Sequence, residues 1–134
     1  MPTAEEIRVF DGPGLTKLAW EMHLDPRGLG DCRLFSWQQR FWGEAAMNVD
    51  GNIWRPHERI DQADAVFRQL RARGWTTSCC WFADDRQHGD VFAAGQGRAV
   101  GVHWPRDVPS EALALLLVAC LARASEGDPH EAQR

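Results

Sequence analysis

Hydrophobic positions in residues 61–74 repeat with the period of an α-helix. Four of them fall at i, i+3, i+4 and i+7, which places them on one helical face: Ala63, Val66, Phe67 and Leu70. Asp61 has the side chain of a good N-cap, and Gly74 can take the positive φ that ends many helices in a Schellman motif. The pattern predicts an amphipathic helix between Asp61 and Gly74.

After Gly74 the hydrophobic period changes from that of a helix to two, which is typical of β-strands. Three strands follow, joined by a polar loop and a tight turn, and such short connections make sequential strands antiparallel neighbours. The predicted strands are Trp75–Ala83, Val91–Gly95 and Arg98–Trp104, with a loop at Asp84–Asp90 and a turn at Gln96-Gly97.

The last predicted element is a helix that starts near Asp107 or Ser110 and runs to about Ala124. Every residue of Ala112–Ala122 is apolar. A helix on one sheet face needs only an apolar stripe, so we expect this helix to be buried on more than one side. It is too short to span a bilayer, which takes about 20 residues.

The N-terminal half has a less regular pattern. A helix is predicted from Pro13 to His23, with an apolar face formed by Leu15, Leu18, Ala19 and Met22. The segment Arg33–Trp42 suits a strand or a helix equally, and Asn48–Gly51 reads as a turn because it ends in Asp-Gly.

Together these elements predict an α+β fold, in which a small antiparallel β-sheet of three or four strands is packed between α-helices. The chain has 134 residues, enough for one domain with a sizeable core. We therefore expect a single domain over residues 1–134, with residues 1–10 and 125–134 as loose termini.

Composition narrows the class of partner. A net charge of −4, without a basic cluster, argues against direct nucleic-acid binding and against an anionic membrane. Met1–Arg8 contains Glu5 and Glu6 and no apolar run, which does not fit a secretory signal. We expect a cytoplasmic protein whose four cysteines are reduced.

Seven tryptophans and no tyrosine are present. Most of the tryptophans are expected in the core or at its rim. Trp37 and Trp42 lie in the least regular region, and with Arg40 and Phe41 between them they form the predicted partner-binding site.

No residue pattern indicates catalysis, a metal or a cofactor. Cys79 and Cys80 point to opposite faces of a strand and are interpreted as buried small hydrophobic residues; Cys120 is expected in the core, and Cys32 as a free thiol. His88 and His103 could approach each other near Asp84, Asp85 or Asp90, but no zinc-ligand spacing appears. A small metal-dependent or Cys/His enzyme remains the alternative interpretation.

The order of elements resembles the phage ABA-sandwich domain family of small phage and prophage proteins. The likeness lies in four segments: Leu15–Met22, Trp54–His57, Asp61–Trp75 and Leu113–Ala122. It implies an antiparallel sheet sandwiched by helices, a phage or prophage origin, and an accessory role in the infected cell. The family supplies no established catalytic residues.

From these patterns and the resemblance we expect non-enzymatic binding to a host or phage protein. An inhibitor of a bacterial defence system, such as an anti-CRISPR protein, is one concrete form, and it would act in the host cytoplasm. A homodimer is a second expected assembly, because part of the Leu113–Leu121 surface would stay exposed unless the helix Leu15–Met22 covers it.

Overall fold

A computed structural model describes residues 2–24, 34–37, 47–49, 52–83 and 87–126; for residues 34–37, 47–49, 52–53 and 83 it describes the backbone alone. The described residues form four helices and six strands. The helices are α1 (Ala4–Arg8), α2 (Gly12–Glu21), α3 (Ile60–Ala72) and α4 (Glu111–Ser125). The strands are β1 (Leu34–Trp37), β2 (Met47–Val49), β3 (Asn52–Trp54), β4 (Thr76–Ala83), β5 (Gln87–Gly95) and β6 (Arg98–Trp104).

The main sheet is antiparallel and has the order β4-β5-β6. One face packs against α3 and α4, and its buried residues belong to the same core as those of the helices. The α+β class, with a three-stranded antiparallel sheet packed against helices, is thereby confirmed. The second face of this sheet is open to solvent over most of its area.

Strand β5 is longer than its sequence pattern indicated. It begins at Gln87 rather than Val91, so the prediction of a loop through Asp90 is wrong for residues 87–90. Gly89 lies on the buried face opposite Trp104, whereas His88 and Asp90 point to the open face. A strand can carry polar residues on its solvated face. Because the residue between His88 and Asp90 is a glycine, no apolar side chain alternates with them, and the prediction relied on such alternation.

The turn between β5 and β6 follows the predicted Gln96-Gly97 pair. Gln96 has φ 56° and Gly97 has φ 74°. Positive φ at both central residues is the geometry of a type I′ turn, whose twist matches that of two antiparallel strands.

Helix α3 has the predicted apolar face and the predicted C-terminal ending. Gly74 has φ 91°, and its N–H donates to Arg71 O at 3.1 Å, while Trp75 N–H donates to Leu70 O at 3.0 Å. These two bonds define a Schellman motif. They reverse the chain direction and place Trp75 and Leu70 together in the core.

The predicted N-cap of α3 is wrong. The helix begins at Ile60, its N-cap is Arg59, and no side chain caps it. Asp61 is therefore inside the first turn, where its carboxylate still faces the positive end of the helix dipole and pairs with Arg59 at 3.4 Å.

Helix α4 is the centre of the core. Ser110 is its N-cap and accepts a hydrogen bond from Leu113 N–H at 3.2 Å, so the start at Ser110 is confirmed and the alternative start at Asp107 is not. All residues of Ala112–Ala122 are buried except Leu113, which is partly buried. Of the described helices, none is long and apolar enough to cross a membrane.

The N-terminal helices cover the side of α4 that the sheet leaves free. In α2, Asp11 is the N-cap and accepts from Gly14 N–H at 2.8 Å. The surface on which the expected homodimer rested, an exposed side of α4, is thus covered within the chain.

Helix α1 lies in the segment expected to be a loose terminus. Thr3 and Glu6 form a capping box at its start, and Ile7 is fully buried. A single anchoring residue in a five-residue helix leaves too short a pattern to detect from the sequence.

A second, smaller sheet has the order β1-β2-β3. Leu34–Trp37 is a strand, which decides the ambiguity for these four residues. Strands β2 and β3 pair with Val49 opposite Asn52, on either side of the predicted Asp50-Gly51 turn, whose residues lie outside the described part.

Candidate functional site

The side of the main sheet that faces away from α3 and α4 is here called the open face. It follows from the register, because directly paired residues point to the same side. Three rows across the strands define it: Phe82 and His88; Cys80, Asp90 and His103; and Ser78, Phe92 and Gly101. Except for the half-buried His88, Asp90 and His103, these side chains are exposed.

An aromatic and histidine cluster occupies one end of the open face. The rings of Phe82 and His88 are stacked, with centroids 4.7 Å apart and an interplanar angle of 14°. The ring of His103 lies 5.3 Å from that of His88 and 6.4 Å from that of Phe82. The predicted approach of the two histidines is confirmed, and the register of β5 and β6 causes it.

His103 is held from both its side chain and its backbone. Asp90 Oδ1 accepts a hydrogen bond from His103 Nδ1–H at 2.5 Å, and Asp107 Oδ2 accepts from His103 N–H at 2.8 Å. Arg106 Nε in turn donates a hydrogen bond to Asp107 Oδ1 at 3.1 Å. The hydrogen bond from Arg106, together with that from His103, lowers the pKa of the Asp107 carboxyl, so this support is ionised at neutral pH.

Phe92 lies at the middle of the open face, with its ring over Gly101. A Cβ at position 101 would lie 3.1 Å from Phe92 Cδ2, so the glycine makes room for the ring. Beside it is a surface pocket of about 400 Å³ whose wall includes Cys80, Asp90 and His103. The ring thus borders a pocket whose wall has both polar and apolar groups.

The cysteines depart from the sequence interpretation. Cys79 and Cys80 are exposed rather than buried. Cys80 points to the open face, whereas Cys79 lies on the helix-covered face but in the outer strand β4, away from β5 and β6, on which α4 packs. Partial burial, with smaller contributions from Glu111 and Asp64, raises the pKa of the Cys79 thiol. Cys79 is therefore a poor nucleophile at neutral pH.

Cys120 is buried in α4 as predicted, and burial raises the pKa of its thiol to about 12. Its Sγ lies 3.7 Å from Leu15 O, at the contact between α4 and α2. The thiol is a packing group. Cys32 lies outside the described residues.

Cys80 and His103 lie on non-adjacent strands of the open face. Asp90 of β5 lies between Cys80 of β4 and His103 of β6. With strands spaced by about 4.8 Å, the two outer backbones are roughly 10 Å apart. A general base must lie within hydrogen-bonding reach of the proton it takes, so His103 is not placed to activate Cys80.

Among the described residues, no group of three or more His, Cys, Asp or Glu is placed to hold a metal ion. Of the three acids proposed near the histidines, Asp90 is the one that contacts His103. Asp84 and Asp85 lie outside the described part of the chain.

The structure does not describe the side chains of the four residues of the predicted partner site. Trp37 is the last residue of β1, with only its backbone described; Arg40, Phe41 and Trp42 lie outside the described residues. Trp54, Trp75 and Trp104 are buried, as expected for most tryptophans, but Trp81 is 61% exposed.

Sequence reasoning missed Phe82 and Phe92 as surface residues, although both are large and apolar. Their exposed fractions are 39% and 44%. The available signal was the alternation of side chains between the two faces of a strand. In β4 this alternation places Phe82 on the face opposite to that of the buried Trp75. In β5, extended to Gln87, it places Phe92 on the same face as His88 and Asp90.

Another histidine, His57, is buried and contributes to packing. Its Nδ1 and the hydroxyl of Thr16 are 2.8 Å apart in a buried contact between the segment before α3 and helix α2. A Cβ at Gly12 would lie 2.8 Å from the His57 ring, so the glycine permits this packing.

No protein-family model, curated protein or solved structure matches the chain.

Proposed function

We propose that the protein acts by non-enzymatic binding to a host or phage protein, and that the open face of the β4-β5-β6 sheet is the binding surface. The observation that carries this proposal is the exposure of Phe82 and Phe92 on the sheet face that points away from the core. Contiguous exposed apolar surface rimmed by polar groups is typical of interaction sites.

The chemistry of the face fits a protein partner. Aromatic side chains and Arg are enriched at the centres of protein interfaces, whereas polar groups form their rims. Phe92 and the neighbouring pocket can accept an apolar side chain, and Asp90 and Arg106 can hydrogen-bond to a partner's polar groups. The net charge of −4 disfavours a nucleic-acid backbone as the occupant.

The enzymatic alternative has less support. The separation of Cys80 from His103 by Asp90 argues against a Cys/His nucleophile, and the raised pKa of the Cys79 thiol argues against that residue. Binding without chemistry requires only the exposed surface.

The proposed biological setting comes from the resemblance to the phage ABA-sandwich domain family. It favours an accessory protein of phage or prophage origin, acting in the host cytoplasm. Inhibition of a bacterial defence system, as by an anti-CRISPR protein, is the concrete form of that role. Binding through Trp37, Arg40, Phe41 and Trp42, as expected from the sequence, stays a separate proposal.

Capture from host lysate tests the surface. We expect the wild-type protein and Val9→Ser to capture the same partner, and Phe92→Ser to lose it while its melting temperature is unchanged. Val9 is the matched control because it is apolar and 82% exposed but lies next to α1. Equal capture by all three proteins would contradict the assignment to the open face.

Phage plating tests the defence role. In bacteria whose CRISPR system restricts a phage, expression of the wild-type protein is expected to restore plaques, and expression of Phe92→Ser is not. Unchanged restriction with the wild-type protein would contradict the anti-CRISPR form of the proposal.

A further inference from the structure

We propose that His88 and His103 on the open face together bind one divalent transition-metal ion, of the class that imidazole nitrogen prefers: Zn²⁺, Ni²⁺ or Cu²⁺. This property goes beyond the proposed partner binding and requires no partner.

The spacing of the two rings carries the proposal. A tetrahedral Zn²⁺ lies about 2.0–2.1 Å from each imidazole nitrogen, which places two ligating ring centres roughly 5 Å apart. The centroids of His88 and His103 are 5.3 Å apart, with the rings tilted by 57° rather than stacked face to face. The separation of the two ring centres therefore matches that of two imidazoles that share an ion.

Asp90 is placed as the outer support of such a site. Its Oδ1 accepts from His103 Nδ1–H, which leaves Nε2 of His103 as the nitrogen that can bind a metal. A carboxylate on the second nitrogen of a ligating histidine fixes the tautomer and ring orientation, and it increases the basicity of the ligand. The hydrogen bond from His103 N–H to Asp107 further restrains this residue.

Phe82 restrains the other ring. Its ring stacks on that of His88, with centroids 4.7 Å apart and an interplanar angle of 14°, and this limits rotation of the imidazole. Metal binding requires only one of the two ring nitrogens of His88. The phenyl ring also gives the site an apolar wall, and such walls limit the access of water to a bound ion.

The described residues supply two direct ligands, in keeping with the absence among them of a cluster of three or more ligating side chains. The remaining positions of a four-coordinate ion are left to water. A structural zinc site has four protein ligands, so we expect weaker and exchangeable binding here.

Isothermal titration of the untagged full-length protein with zinc chloride tests the proposal. We expect one ion per chain, and an affinity at least tenfold lower in His88→Ala and in His103→Ala. His23→Ala is the matched control: His23 is an exposed histidine after α2, and its replacement is expected to leave the affinity unchanged.

Two further variants separate this site from other sources of zinc binding. Asp90→Asn is expected to weaken binding by about 10–100-fold, the usual effect of losing an outer-shell carboxylate. Replacing both exposed thiols, as Cys79→Ser with Cys80→Ser, is expected to preserve it. Binding that is lost with the thiols and kept by both histidine variants would overturn the proposal.

A measurement on the wild-type protein decides the matter even if a variant fails to fold. In NMR spectra of the imidazole groups, zinc is expected to shift the signals of His88 and His103 and to leave those of His23 in place. No heat of binding and no shift at His88 and His103 with Zn²⁺, Ni²⁺ or Cu²⁺ would overturn the proposal.

Discussion

At the residue scale, Gly89 shows how a single hydrogen in place of a side chain determines local packing. It lies on the helix-covered face between Trp81 and Trp104. A Cβ there would lie 2.4 Å from Cys80 O and 2.9 Å from Trp104 Nε1. Gly74 has a different requirement: its φ of +91° strains other residues, but a Cβ would meet no atom within 4 Å.

We therefore expect Gly89→Val to lower the free energy of unfolding more than Gly74→Val does. Backbone strain at Gly74 costs about 1–3 kcal/mol, whereas the overlap at Gly89 involves a backbone oxygen that a rotamer change cannot relieve. The sequence pattern placed Gly89 in a loop and therefore gave no sign of this overlap. Urea denaturation of both variants is the measurement, and a wild-type midpoint for Gly89→Val would contradict this packing.

Glu126 supports the end of α4 through a small network of polar contacts. Its carboxylate accepts from Arg73 Nη2 at 2.7 Å and from Trp75 Nε1 at 3.1 Å. Burial acts to raise the pKa of Glu126, but the hydrogen bonds from Arg73 and Trp75 outweigh it, so that the pKa is lowered overall. A lowered pKa means that the folded state favours the ionised carboxylate.

The stabilisation from Glu126 is therefore expected above the pKa of an unfolded glutamate, about 4.3. It should be lost as the pH falls through the lower folded-state value. Melting temperatures of wild type and Glu126→Gln are expected to differ at pH 7 and to converge in acid. A difference that stays constant over this range would contradict the ionised network.

At the element scale, the sequence predicted the elements whose ends have a local chemical signal. Strand β6 has its predicted bounds, α4 starts at Ser110, and α3 ends at Gly74 as expected. These positions depend on caps, turn residues and short-range periodicity. The start of β5 was missed because polar residues on its open face interrupt the apolar alternation, and α1 was missed because five residues give too short a periodic pattern.

The candidate site was predicted only in part, for the same reason. The proximity of His88 and His103 followed from strand pairing and was foreseen. The exposure of Cys80 and Phe92 depends on which face of the sheet α4 covers, and that of Cys79 depends on which strands of that face it covers. Both are long-range facts. Periodicity identifies two faces of a strand but does not say which one a helix will cover when both carry apolar residues.

Leu116 tests the placement of α4 in the core. It is fully buried, and an unpaired carboxylate in such a site costs several kcal/mol. We expect Leu116→Asp to abolish cooperative unfolding, as measured by circular dichroism during heating. Val9→Asp makes the same chemical change at an exposed position and is expected to melt like the wild type. A wild-type melting temperature for Leu116→Asp would contradict the core position of the helix.

At the scale of the whole molecule, the helices and the main sheet share one core, and the open face lies outside it. Helices α1, α2 and α3 and strands β5 and β6 all contact α4, so the longest apolar segment of the chain is covered internally. The N-terminal helices thus cover the side of α4 on which the expected homodimer was argued, and the homodimer itself stays a prediction. Among the described residues, the open face combines the exposed rings of Phe82 and Phe92 with a surface pocket.

Site-specific photo-crosslinking in the host cell tests most directly whether the open face binds a protein. A photoreactive phenylalanine analogue would replace Phe92 in one protein and Val9 in another, since both positions accept an exposed side chain. We expect a defined crosslinked complex with one host or phage protein from position 92 and none from position 9. No complex from position 92, or the same complex from both positions, would contradict the account.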